Sequence, residues 1–83
     1  MDPLHVPRSL SPQRGYRWCL LRTLRDLRRA EQRGRAISPP NARRLFSRRW
    51  HRTARQCQPV PTLRERTAYQ HRGMTKLHRT LTA

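Results

Sequence analysis

Hydrophobic residues recur at helical spacing in three stretches of the chain, and nowhere do they alternate as a half-buried strand requires. In the first stretch, residues 16–33 (YRWCLLRTLRDLRRAEQR), Tyr16, Leu20, Leu24 and Leu27 fall within about 80° of one another on a helical wheel. Cys19 and Ala30 flank this stripe. Arg22, Arg25, Arg28, Arg29 and Arg33 take the opposite half. Trp18 and Leu21 lie off the stripe, and Trp18 points among the arginines. Asp26 follows Arg22 by four positions and precedes Arg29 by three, which predicts surface ion pairs with both. Gly34 stands where a helix C-terminal glycine belongs.

A break over residues 35–41 follows, because the residue before a proline resists the helical region. Asn41 is the natural N-cap of the next helix, and Ser38 with Pro39 in the first turn is the alternative. Residues 42–57 (ARRLFSRRWHRTARQC) place Ala42, Phe46, Trp50, Thr53 and Cys57 on one face. Arg44, Arg48, His51, Arg52 and Arg55 share the other face, and Arg43 and Arg49 edge the seam. Pro59 and Pro61 stop this helix. The third stretch, residues 62–72, opens with TLRE, a capping box in which Thr62 and Glu65 serve each other's backbone amides. Gly73 is read as its end. Met74, Leu77 and Leu81 could continue a helix beyond it, or that segment could fray.

Residues 1–15 carry Pro3, Pro7, Pro12 and Gly15 without periodicity and read as an extended basic arm. The expected fold is therefore all-α: a small helical hairpin or three short helices in a single region, 16–83, behind the arm. The first two helices are expected to pack as a hairpin through Leu20, Leu24, Leu27, Phe46 and Trp50.

Charge changes this picture more than any motif. The 83 residues hold 20 Lys or Arg against four acids, a formal charge of +16, and Lys76 is the only lysine. Self-repulsion of that size opposes the compact state. Ordering is accordingly expected to be coupled to a polyanionic partner. Arginine in place of lysine favours RNA, since the planar guanidinium grips phosphate with two hydrogen bonds and stacks on bases. The expected RNA-binding residues are Arg22, Arg25 and Arg29 on the first helix and Arg43, Arg44, Arg48, Arg49, Arg52 and Arg55 on the second. Trp18 is the stacking candidate. Phe46 and Trp50 are expected to pack rather than read bases.

Other chemistries find little support. Asp26 and Glu31 read as ion-pair partners and Glu65 as a cap, which leaves no carboxylate pair for acid–base catalysis. No Gly-rich phosphate loop is present. Cys19 and Cys57 stand 38 positions apart, and the four histidines are scattered, so no metal or other cofactor is expected. Two reduced thiols point to a reducing compartment. No window is apolar enough for a membrane span or a signal peptide. The Arg-rich amphipathic beginning keeps mitochondrial targeting open.

These readings converge on a structural RNA-binding protein, a ribosomal or mitochondrial ribosomal component in the matrix or cytoplasm. It would contact rRNA and neighbouring proteins of the particle, and would not be a stand-alone homo-oligomer. A viral or regulatory RNA-binding protein is the alternative. A third reading comes from the run Leu20-Leu21-Arg22 and the segment ARRLFSRR around Phe46. Over residues 18–80 the chain resembles short mitochondrial LYR-motif proteins, with Leu21 standing in the tyrosine position. That resemblance implies three helices, a basic second helix carrying a Phe, and a positive groove that binds an acidic acyl-carrier protein.

Overall fold

Two Ser-Pro steps begin helices. Ser11 Oγ accepts from the Arg14 amide at 3.3 Å, and Ser38 Oγ accepts from the Asn41 amide at 3.4 Å. Each is followed by a proline in the first turn, where a missing N–H costs nothing. The computed structural model describes residues 10–82 and contains α1 (Pro12–Gln32), α2 (Pro39–Ala54) and α3 (Leu63–Thr82). Residues 12–15 therefore belong to α1 and not to the expected arm, whose first nine residues lie outside the described residues. The second helix takes Ser38 as its cap, not Asn41.

Local signals at the other helix ends act as the sequence suggests. Gly34 has φ 74°, and the Arg35 amide reaches back to the Ala30 carbonyl at 2.8 Å while the Gly34 amide reaches Glu31 at 3.0 Å. This left-handed turn satisfies carbonyls that the end of α1 leaves bare. At α3, the Thr62 amide donates to Glu65 Oε1 at 3.0 Å and the Glu65 amide donates to Thr62 Oγ1 at 3.2 Å. The Thr62 backbone amide, and after it the Thr62 hydroxyl, hold the Glu65 carboxyl below its usual range.

Two boundaries differ from expectation. Gln56 and Cys57 leave α2 through tighter hydrogen bonds to residues three back, and the Gln58 amide then donates to the Leu10 carbonyl at 2.7 Å. Leu10 and Cys57 pair there as an isolated parallel bridge, and both are buried. The third helix runs through Gly73 to Thr82 instead of stopping at 72. A Cβ at position 73 would lie 2.2 Å from Phe46 Cζ, so the glycine is where α3 crosses the Phe46 ring. It marks a close approach, not a helix end.

The core joins Tyr16 and Cys19 of α1, Phe46, Trp50 and Ala54 of α2, and Leu77 of α3, with Leu10 and Cys57 closing one side. Its aromatic rings meet edge-on: Tyr16 with Phe46 at 6.2 Å, Tyr16 with Trp50 at 6.5 Å, and Trp50 with Tyr69 at 5.5 Å between centroids. Trp50 is fully buried, and its Nε1 donates to the Arg66 carbonyl at 2.8 Å, so its one polar atom is satisfied across to α3.

The buried face of α1 is rotated from the leucine stripe. Gly15, Tyr16, Cys19 and Thr23 are buried, whereas Leu20, Leu24 and Leu27 lie half-buried on the flank. Small residues let α2 come close: a Cβ on Gly15 would sit 3.1 Å from Cys57 Sγ and 3.2 Å from Thr53 Cγ2. Thr23 meets no penalty there because its hydroxyl donates to the Cys19 carbonyl at 2.8 Å. Asp26 likewise departs from the in-helix pairing with Arg22 and Arg29. It pairs with Arg49 of α2, whose guanidinium also donates to Thr23 Oγ1 at 3.4 Å.

Both cysteines are free and buried against Thr53. Cys19 Sγ donates to Thr53 Oγ1 at 3.3 Å and Cys57 Sγ to the Thr53 carbonyl at 3.4 Å. Burial pushes the Cys19 thiol up to about 11, and Cys57 upward for the same reason. A thiol whose folded pKa is raised stabilises the fold fully below its unfolded value of 9.0, and that contribution is lost as pH rises through the folded value. The protein is thus expected to lose on the order of 2 kcal/mol of unfolding free energy between about pH 9 and pH 11. Cys19→Ala should lose less over that window, as read by urea unfolding. Equal slopes in the two proteins would contradict the buried neutral thiol.

Candidate nucleic-acid interface

The aromatic–arginine division of α2 decides what this surface presents. Ala42, Phe46, Trp50 and Thr53 point inward, so the residues two positions after each must point out. Arg44, Arg48, Arg52 and Arg55 are all exposed, along one stripe at steps of four, four and three. Arg43 and Arg49, at the seams, are half-buried. Arg49 is turned on to Asp26 and Thr23, so it holds α1 to α2 as well as carrying charge. Arg43 lies toward α3, its Nη1 3.5 Å from His78 Nδ1.

Between α2 and α3 the outward stripe borders a groove of about 600 Å³. Arg43, Arg44, Arg48 and His51 line it from α2, and Gln70 and Met74 from α3. Its floor is tied by Gln70 Nε2 donating to Ser47 Oγ at 3.0 Å. At one end, His51 stands between two guanidinium groups: Arg55 Nη2 is 3.4 Å from Nε2, and Arg66 Nη1 is 3.4 Å from Nδ1. Among the described residues, no acid lines this groove. Asp26 is engaged by Arg49 and Glu65 by the Thr62 amide, so neither neutralises it. A smaller hollow of about 150 Å³ lies on the other flank of α2, among Leu45, Arg48, Arg49 and Arg52.

The residues expected on α1 form a separate strip. Trp18 is half-buried against the core edge, with the Arg22 guanidinium 5.2 Å from its ring centroid. Arg22 and Arg29 are exposed and Arg25 is half-buried. None of them lines the α2–α3 groove. The structure thus brings together Arg43, Arg44 and Arg48 in the groove, with Arg52 and Arg55 continuing the stripe, and leaves Trp18, Arg22, Arg25 and Arg29 on another helix.

Sequence reasoning missed the groove's end and its α3 side: His51, Arg66 and Gln70. The signal existed. Arg66, Gln70 and Met74 recur at steps of four, one face of a helix that continues past Gly73. Reading Gly73 as a stop cut only Met74 from that face; Arg66 and Gln70 lay inside the expected helix 62–72, and the face was passed over because it carries little charge or apolar signal. Among the described residues no group of three His, Cys, Asp or Glu is placed to hold a metal ion, and no helix is long and apolar enough to cross a membrane.

The arrangement can bind extended anionic groups through paired guanidiniums. No protein-family model, curated protein or solved structure matches the chain.

Proposed function

We propose that this chain is a small structural RNA-binding protein, a component of a ribonucleoprotein particle. The particle is the cytoplasmic or mitochondrial ribosome, where rRNA would neutralise the α2 stripe. The observation that carries this reading is the exposed row Arg44, Arg48, Arg52 and Arg55 beside a groove that no described acid lines. Its guanidinium density suits phosphate tracking along a backbone, and RNA recognition works through phosphate grip, shape and stacking. Arg22 over Trp18 supplies a second, stacking-capable strip on α1.

Counterion release makes such binding fall steeply with salt. With about six to eight arginines on phosphates, log K against log salt is expected to slope at about −4 to −7. Fluorescence anisotropy with a structured RNA at several salt concentrations measures it. A slope shallower than about −2 would remove the arginines from the interface.

A second reading is supported by the architecture. Three helices with a basic α2 and its Phe46 buried at their centre are what the resemblance to LYR-motif proteins implies. On that reading the groove takes an acidic acyl-carrier protein. A shallow RNA slope together with saturable binding of an acyl-carrier protein would put it first.

A further inference from the structure

We propose that His51, Arg55 and Arg66 form a phosphate-binding site at the end of the α2–α3 groove, and that a phosphate seated there brings a proton to His51. The inference rests on the RNA reading for the source of the phosphate, a backbone phosphodiester, but its chemistry stands on local geometry.

A neutral imidazole has one bare nitrogen, so it can accept one hydrogen bond. Here both ring nitrogens face guanidinium donors at 3.4 Å, Arg55 on one side and Arg66 on the other. One of the two contacts therefore sets donor against donor, and either tautomer leaves the conflict in place. A guanidinium accepts nothing. An anionic oxygen inserted beside the ring removes the conflict: it accepts from the guanidinium and from the imidazole N–H together. Two guanidiniums with an imidazolium then give a charge-assisted phosphate site.

The surroundings favour this occupant. The Arg66 Nε is buried without a hydrogen-bond partner, and its outer Nη1 reaches the His51 ring. Its backbone is fixed as well, since the Arg66 carbonyl accepts from Trp50 Nε1. Arg48 of α2 lines the same groove, and α1 contributes no residue to it. Glu65, next in sequence to Arg66, is turned on to the Thr62 amide. Arg55 and Arg66 stand against the ring, and Arg43, Arg44 and Arg48 line the groove it shares, all of them cationic. A bound anion is what would make a proton on the ring favourable, because histidine changes charge near neutral pH. Proton uptake becomes the signature that separates this site from general attraction to the arginine stripe.

The test uses the full chain in two arms. In the first, inorganic phosphate is titrated while the ring nitrogens of all histidines are followed by NMR. His51 is expected to move toward the imidazolium pattern near pH 7, with His71 unmoved. In the second, affinity for a short structured RNA is compared at pH 6 and pH 8. The unaltered protein is expected to lose about tenfold across that range, and His51→Gln, exposed and so able to keep its helix, to lose less than about twofold. If RNA binds with the same pH profile in both proteins, or phosphate leaves His51 unmoved, the site is wrong while the RNA reading stands. If phosphate shifts His51 but RNA does not bind, the site stands and the RNA reading falls.

Discussion

Gly73→Ala is expected to destabilise the protein by about 3 kcal/mol, the upper end of the cost of overpacking a closed core. Helix propensity alone gives the opposite sign, since alanine in a helix interior is favoured over glycine by about 1 kcal/mol. Packing wins because the added methyl would sit 2.2 and 2.3 Å from two atoms of the Phe46 ring. Those distances lie far inside van der Waals contact. The ring cannot swing away, because Phe46 is fully buried and meets Tyr16 edge-on. Either α3 lifts from α2 or the ring leaves its place, and both open the core. Thermal and urea unfolding measure the effect. A second variant, Gly73→Ala with Phe46→Leu, should recover part of the loss relative to Phe46→Leu alone, because the ring that obstructs is gone. Stabilisation of the single variant would mean that α3 does not cross at Phe46.

The other large effect concerns binding. Replacing Arg44, Arg48, Arg52 and Arg55 by Gln removes four charges from the exposed stripe while keeping helix propensity, since Arg and Gln rank close together. On the proposed function, RNA affinity is expected to fall by several kcal/mol, about 1–2 for each charge-assisted hydrogen bond to phosphate that disappears. The salt slope should become less negative by about three to four. Lys at all four positions should cost less, keeping charge but giving up the paired grip. Far-ultraviolet circular dichroism should show unchanged helicity in both variants. Unchanged RNA affinity in the Gln variant would make the stripe a solvated surface.

The core and the surplus charge are kept apart by the division of α2. Its charged residues all stand on the outward half or at the seams, and its aromatic pair occupies the centre of the bundle. That division was legible in the sequence because Phe46 and Trp50 are large enough to dominate any count of apolar periodicity. The Gly34 turn and the Thr62–Glu65 cap were legible too, being written within a few residues.

The face of α1 was not. Periodicity weighs hydrophobicity, and the leucines outweigh Gly15 and Thr23 on any such scale. The approach of α2 is decided by size, and small residues win at the crossing. Asp26 posed a related problem. Arg22 and Arg29 lie at good in-helix spacing, but Arg49 reaches it from a neighbouring helix, and no local pattern announces that. The error at Gly73 also touched the candidate site. Its permission to sit inside a helix comes from Phe46, on another helix, and stopping there separated Met74 from the face that carries Arg66 and Gln70.

The crossing of α3 over Phe46 also constrains how this sequence can drift. Positions 46 and 73 share one volume, so neither can change alone without loss. A larger residue at 73 becomes acceptable only after position 46 has shrunk, and a smaller residue at 46 leaves a void until position 73 has grown. Substitution there must proceed through a weakened intermediate, and the two positions are expected to change together.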